Sequence, residues 1–107
     1  DSGDAIRNNC YISDVVIMLL NILTKGKRPV YNVGGKSIVS IKELAENIGR
    51  EMNAYVEIPI QKEAFMDEAP KKVGLDLSKV EKDFSQSKYI ELNQGLKNTI
   101  KWITNYK

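Results

Sequence analysis

The sequence contains no histidine and a single cysteine among its 107 residues. Histidine is the commonest general base and the commonest transition-metal ligand, so its absence argues against both kinds of site. A single cysteine, Cys10, cannot form an intramolecular disulfide, which agrees with a reducing, cytoplasmic location. Because no histidine can activate its thiol, we interpret Cys10 as a small core residue and not as a nucleophile. We therefore predict neither a catalytic residue nor a metal site in this chain.

Composition and charge indicate a folded protein without affinity for nucleic acids or membranes. Hydrophobic residues make up 42% of the sequence and charged residues 28%, which is enough apolar surface for a core, so we treat residues 1–107 as one domain. The net charge of +2 is too small to predict nucleic-acid binding. The longest apolar stretch, residues 15–23, is too short to cross a bilayer. We therefore expect neither a nucleic acid nor a membrane as a partner.

That same apolar stretch predicts the first helix. Ser13 and Asp14 precede it with side chains suited to a helix N-cap, and Gly26 follows it as a stop. Its residues are apolar nearly all round, which predicts burial on more than one side.

Two further helices are marked by capping boxes, in which a serine and a glutamate three residues later bond each other's backbone amides. Ser40 and Glu43 begin a helix whose apolar residues recur at helical spacing and which should stop at Asn53. Ser78 and Glu81 begin a shorter one.

Strands are predicted where β-branched and aromatic residues cluster. Residues 30–33 and 55–60 fit this description, and residues 73–75 form a shorter extended piece. Residues 1–9 are polar and are predicted to be loop, while leucines and isoleucines at helical spacing predict a last helix over residues 92–103. Two short strands do not make a self-sufficient sheet, so partner structure outside this chain is expected.

A glycine pair after the first predicted strand resembles the end of a phosphate-binding P-loop. Gly34 and Gly35 are followed by Lys36 and Ser37. A P-loop also needs a glycine five residues before its Gly-Lys pair, and Val30 occupies that position. We therefore interpret this segment as a turn.

Five segments together resemble the extended short-chain dehydrogenases that act on nucleotide-sugars with NAD. Each carries a short motif of that family, in the family's order. The segments are Arg7-Asn8-Asn9-Cys10-Tyr11-Ile12-Ser13-Asp14-Val15-Val16, Val30-Tyr31-Asn32-Val33-Gly34-Gly35, Ser40-Ile41-Lys42-Glu43-Leu44-Ala45, Leu75-Asp76-Leu77-Ser78-Lys79, and Leu92-Asn93-Gln94-Gly95-Leu96-Lys97-Asn98-Thr99-Ile100-Lys101-Trp102. The resemblance covers nearly the whole chain.

The resemblance implies a function in binding the nucleotide diphosphate of a sugar nucleotide. Arg7 corresponds to a family arginine near the substrate phosphates, and Asn32 and Asp14 lie on segments that shape the site. It also implies an amino-terminal Rossmann domain, absent here, which would bind NAD or NADP, supply the catalytic residues and cover the apolar first helix. The strand predicted over residues 30–33 would join the edge of that domain's sheet, and the parent enzyme would be a homodimer.

Two departures from the family pattern bear on this chemistry. Many relatives have a second phosphate-binding arginine about ten residues before the aspartate that corresponds to Asp76, and Met66 stands there. Lys71 or Lys72 would then take its place, although an ammonium group cannot make the same bidentate contact. The sequence also lacks the glycine-rich cofactor motif and any Tyr-x-x-x-Lys pair, so this chain alone should hold no cofactor and should be inactive.

We thus expect an α/β fold: the small carboxyl-terminal lobe of an extended short-chain dehydrogenase, with helices, two or three short strands and no Rossmann core. The expected function is substrate binding for a parent NAD-dependent epimerase or dehydratase, which would transiently oxidise a sugar hydroxyl. The alternative is a small α/β protein-interaction module that binds no sugar nucleotide.

Overall fold

The computed structural model describes residues 3–59 and 70–106. Helices and short strands follow each other in an α/β arrangement, which confirms the predicted fold class. In chain order the elements are β1 (Ile6–Asn9), α1 (Ile12–Lys25), β2 (Ser37–Ser40), α2 (Ile41–Met52), α3 (Ser78–Phe84) and α4 (Leu92–Asn105).

A small sheet forms around β1. β1 pairs with β2 in antiparallel register, with Arg7 opposite Val39. On its other side, Ile6 forms a parallel bridge to Lys72. The predicted loop over residues 1–9 is therefore wrong for β1, because its polar residues are held by pairing with distant segments and not by their own strand propensity.

The predicted strands over residues 30–33 and 55–60 are wrong for the residues that the structure describes. Residues 30–33 and 55–59 have no ladder partner there, and residue 60 lies outside the described ranges. Val33 and Tyr31 pack against the core instead of joining the sheet, while Val30 is 61% exposed.

The predicted caps of α2 and α3 can be compared with the helix ends in the structure. The box of Ser40 and Glu43 is confirmed, since the backbone amide of Glu43 donates to Ser40 Oγ (3.1 Å) and that of Ser40 donates to Glu43 Oε2 (2.9 Å). Asn53 ends α2 in the left-handed conformation (φ 51°), as predicted. The box at Ser78 is wrong: Leu77 is the N-cap of α3, and the Ser78 amide donates to Asp76 instead.

The core lies between α1 and α3. Met18, Leu77 and Val80 are buried, and half-buried side chains pack around them, among them Tyr31 and Phe84, whose rings are 5.3 Å apart. Burying such side chains contributes about 1.5–3 kcal/mol each. This cluster joins the two helices.

Within the described residues, α1 is buried on one face, which differs from the prediction of burial on several sides. Only Asp14 and Met18 of this helix are buried. Its other face exposes large apolar side chains, with exposed fractions from 45% to 81%; they are Ile12, Val16, Ile17, Leu19, Leu20 and Leu23. We call these six residues the apolar face of α1. A contiguous apolar surface of this kind is typical of an interface.

Candidate functional site

Arg7 projects from β1 and holds a neighbouring segment. Its Nη1 donates to the carbonyl of Pro70 (3.0 Å) and to that of Ile6 (2.8 Å). These contacts occupy one nitrogen of a guanidinium group that carries five N–H donors. Arg7 as a whole residue is half-buried.

The backbone of Lys71 and Lys72 lies beside β1, with Lys72 in an isolated bridge to Ile6 and Lys71 in a bend. The backbone amide of Ile6 donates to the Lys71 carbonyl (2.7 Å), and the Val73 amide donates to the Ile6 carbonyl (3.2 Å). The structure thus places the backbone of both lysines beside the strand that carries Arg7, although more than sixty positions separate them from it. Met66, the other position of interest, lies outside the described residues.

Asn32 belongs to a different contact. Its Nδ2 donates to the Asp76 carbonyl (3.0 Å), which ties residues 30–33 to the start of α3. Asp76 in turn accepts a bond from Ser78, and this hydrogen bonding, followed by the charge of Lys79, holds the pKa of Asp76 below its ordinary value. The geometry gives Asn32 a local structural contact apart from the group around Arg7.

Asp14 does not cap α1, which corrects the sequence interpretation. The helix begins two residues earlier, after Tyr11, whose side chain makes no capping bond. Asp14 is buried and its Oδ2 accepts a hydrogen bond from the backbone amide of Ile90 (2.8 Å). The carboxylate therefore fixes the segment before α4 against the first turn of α1.

An ion-pair network joins the segment after α1 to α3, and sequence reasoning missed it. Arg28 donates to both carboxylate oxygens of Asp83 (2.6 and 2.9 Å), and the Tyr31 hydroxyl donates to the same carboxylate (2.8 Å). The hydrogen bonds from Arg28 and then from Tyr31 hold the pKa of Asp83 well below its ordinary value. Arg28 and Asp83 are 55 positions apart, so no local pattern could have revealed the pair.

A second ion pair lies nearby. Lys36 Nζ is 2.7 Å from Glu81 Oε1, and the Tyr89 hydroxyl donates to the same oxygen (3.1 Å). Lys36 also sits 5.3 Å from the centroid of the Tyr89 ring. Burial, followed by the bond to Glu81, raises the pKa of Tyr89 to about 12, so this phenol stays protonated at neutral pH. Lys36 therefore has a structural partner, and it lies in a bend directly before β2, while Gly34 and Gly35 have no regular structure.

A cavity of about 190 Å³ opens between the end of the sheet, α2 and α4. Its lining is mostly apolar and includes Tyr11, Leu44 and Leu96, with Cys10 at one wall. Burial, and next the charge of Asp14, raise the pKa of the Cys10 thiol. A protonated, half-buried thiol packed against the core has little nucleophilic character, as the sequence predicts.

The described ranges contain no group of three or more potential ligands that could hold a metal ion. No helix in these ranges is long and apolar enough to cross a membrane.

Solved structures with the same fold give the chain its context. It superposes on a dTDP-glucose 4,6-dehydratase from Bacillus anthracis, crystallised with NAD, with a TM-score of 0.82 and 21% identity over 98% of this chain and 33% of the enzyme. A UDP-glucuronic acid 4-epimerase from Bacillus cereus, in complex with UDP-glucuronic acid and NAD, superposes with a TM-score of 0.79 and 22% identity. The match covers 98% of this chain and 34% of the enzyme. The chain has the same fold as about a third of each of these two enzymes.

A third structure agrees with this fold. WbmF from Bordetella bronchiseptica, in complex with NAD⁺ and UDP, gives a TM-score of 0.78 and 23% identity over 98% of this chain and 30% of that protein. No protein-family model and no curated protein matches the sequence. The resemblance seen in five sequence segments is thus confirmed at the level of fold, and the chain spans about a third of the length of the solved structures it matches.

Proposed function

We propose that this chain is the sugar-nucleotide-binding part of a longer NAD-dependent epimerase or dehydratase, and that Arg7 contacts the substrate diphosphate. The observation that carries this proposal is the position of Arg7. It stands on a strand fixed from both sides, beside two lysines, with a guanidinium whose contacts to the described residues use Nη1 alone. Guanidinium groups are well suited to bidentate phosphate contacts.

The fold supports the choice of ligand. Two of the solved structures with this fold were crystallised with UDP or UDP-glucuronic acid. In such an enzyme the present chain would bind and orient the nucleotide diphosphate. Asn32 would act indirectly, by holding residues 30–33 against Asp76.

The cofactor does not fit this chain. The sequence contains neither a glycine-rich dinucleotide motif nor a Tyr-x-x-x-Lys pair. NAD or NADP would be bound by a further domain, for which the apolar face of α1 is the proposed contact surface. Packing that face against the missing Rossmann domain would remove the exposed apolar area from water. A cytoplasmic, homodimeric parent enzyme completes the proposal.

The first test is the length of the reading frame. A gene of about this size, with no coding sequence for a Rossmann domain before Asp1, would refute the proposal. Given a longer protein, calorimetry with UDP and several nucleotide-sugars measures binding directly.

A matched pair of variants then tests the role of Arg7. Loss of a charge-assisted contact costs about 1.5–3 kcal/mol, so Arg7→Ala should weaken UDP binding roughly 10- to 150-fold. Arg50→Ala is the control, because Arg50 is exposed on α2 and its side chain bonds only to Asn47 among the described residues. Equal affinities of the Arg7 variant and the unmodified protein would contradict the phosphate role.

The alternative function, a protein-interaction module, is favoured by the apolar face of α1 alone. It predicts that the intact protein binds no sugar nucleotide and that Leu20→Glu, which places a charge on this face, abolishes a protein contact. Nucleotide binding by the unmodified protein would exclude it.

A further inference from the structure

The cavity between the end of the sheet, α2 and α4 is large enough for one small ring. Its volume is about 190 Å³, and its apolar walls include Leu44, Ile90 and Leu96. An apolar cavity of about 150 Å³ already holds a benzene molecule, so a six-membered ring with one or two further atoms fits this space. Because the cavity is half-open, a polar substituent of such a ring can stay in contact with water.

The charge around this cavity is negative. Glu91 is the one charged residue among the described residues that line it, and its side chain makes no capping bond at the start of α4. Behind the wall, the buried carboxylate of Asp14 accepts a hydrogen bond from the Ile90 amide (2.8 Å). Burial, and next the charge of Asp14, raise the pKa of the Cys10 thiol, so the field of this carboxylate reaches the cavity wall. The amino-terminal end of α4 carries about half a positive charge, which two carboxylates more than offset.

The positive charges nearest in sequence are engaged elsewhere. Lys36 precedes the lining residue Ser37, and its ammonium group lies 2.7 Å from Glu81. Arg7 stands two positions before the lining residue Asn9, and its Nη1 bonds to two backbone carbonyls outside the cavity. An anion in the cavity would therefore meet negative charge without a cation among the described lining residues to offset it.

We propose that this cavity is a binding site for a small organic cation that consists of one apolar ring and an amine. The ring buries its surface against the walls that Leu44 and Leu96 supply, and the ammonium group stays at the open side, where the negative potential favours it. This site is separate from the proposed diphosphate contact, because neither Arg7 nor the two lysines near it line the cavity. Burial of the ring provides most of the affinity, and the charge provides the selectivity.

Three ligands of nearly the same size separate the contribution of the ring from that of the charge. Benzylamine is cationic at pH 7, benzyl alcohol is neutral and benzoate is anionic. In titrations of the 107-residue chain followed by amide NMR, benzylamine should bind about three- to fivefold more tightly than benzyl alcohol, and benzoate more weakly than both. The amide signals that shift should include those of the lining residues Leu92 and Gly95. Equal affinities for the three ligands, or shifts confined to residues away from the cavity, would overturn the proposal.

Two threonines of α4 provide a matched pair of variants. Each donates its hydroxyl to the carbonyl four positions earlier, Thr99 to Gly95 (2.9 Å) and Thr104 to Ile100 (3.0 Å), but of the two only Thr99 lines the cavity. Thr99→Phe should fill part of the space and weaken benzylamine binding about tenfold or more, whereas Thr104→Phe should change it less than about twofold. Equal losses in the two variants would contradict the location of the site.

The charge preference has its own variant, which is informative even if Thr99→Phe does not fold. Glu91→Gln should lower the affinity for benzylamine to that for benzyl alcohol and leave benzyl alcohol binding unchanged. An unaltered preference for benzylamine would refute the role of the carboxylate. In the intact protein benzylamine should bind as tightly as in the 107-residue chain. Binding to the 107-residue chain alone would show that the rest of the polypeptide fills the cavity, and the assignment as a ligand site would fail.

Discussion

Replacing Met18 with alanine should remove the central contact between α1 and α3. Met18 has no exposed surface and packs with the buried Leu77 and Val80. Loss of its outer side-chain atoms forfeits roughly 1.5–3 kcal/mol of burial, and the cavity left behind brings typical losses to about 2–5 kcal/mol. Tyr31 and Phe84 at the rim are only half-buried and can partly collapse into the space. We therefore expect a loss of about 3 kcal/mol in the free energy of unfolding.

Urea unfolding of the 107-residue chain, followed by far-UV circular dichroism, measures this loss. With a slope of about 1.5 kcal/mol per molar urea, typical of small proteins, 3 kcal/mol lowers the midpoint by about 2 M. Leu19→Ala is the matched control, since Leu19 is the next residue of the same helix and is 52% exposed. It should cost less than about 1 kcal/mol. Equal losses at the two positions would refute the orientation of α1.

Three further predictions concern single contacts. Gly35→Ala should destabilise the chain by about 1–3 kcal/mol in the same urea assay, because the new Cβ would overlap the Asn9 carbonyl oxygen. A Cβ at Gly74 would meet open space, so Gly74→Ala should be neutral or slightly stabilising. Asp14→Ala should lower the free energy of unfolding by about 1–3 kcal/mol and speed hydrogen exchange of the Ile90 amide, which loses its acceptor. Asp14→Asn keeps an acceptor oxygen and should lower the free energy of unfolding by less. Folding lowers the pKa of Asp83 from its ordinary value of 3.8, so the ionised carboxylate stabilises the fold above pH 3.8 and this stabilisation is lost as the pH falls further. Asp83→Asn should therefore destabilise the chain at pH 7, by an amount that shrinks below pH 3.8. A difference that stays constant down to pH 2 would contradict the last of these.

Helices were largely predictable because their signals are local. The capping box at Ser40 and the stop at Asn53 depend on residues within one turn of the helix end, and both are confirmed. The last helix, predicted over residues 92–103, is observed as α4. Local chemistry misled where a distant partner intervened: Asp14 looks like a cap, but its hydrogen-bond donor is 76 positions away.

Strands could not be predicted in the same way. β1 has the sequence Ile-Arg-Asn-Asn, which carries little strand propensity, and it is a strand because β2 pairs with it and Lys72 bridges to it. Residues 30–33 show the reverse case, since Tyr31 and Val33 pack against the core and form no strand. Strand pairing joins segments distant in sequence, and that information is not contained in a short window.

The candidate site was named by resemblance, and its geometry required the structure. The family motif pointed to Arg7 and left Lys71 and Lys72 as equal candidates. In the structure the backbone of both lysines lies beside β1, through the bridge between Ile6 and Lys72 and the hydrogen bond from the Ile6 amide to the Lys71 carbonyl. Nothing in the order of residues 70–73 could reveal that this segment lies beside Arg7.

The apolar face of α1 connects the stability of this chain to its proposed role. Six large apolar side chains stay exposed on a helix whose opposite face holds the core residue Met18. A chain under selection only for its own stability has no reason to keep such a surface, which promotes association. If a further domain covers it, Leu19→Ala should become costly in the intact protein while remaining nearly neutral in the isolated chain. Leu19→Ala thus has two expected losses in the free energy of unfolding, one in the isolated chain and one in the intact protein. The difference between them measures how much the contact with that domain stabilises the fold.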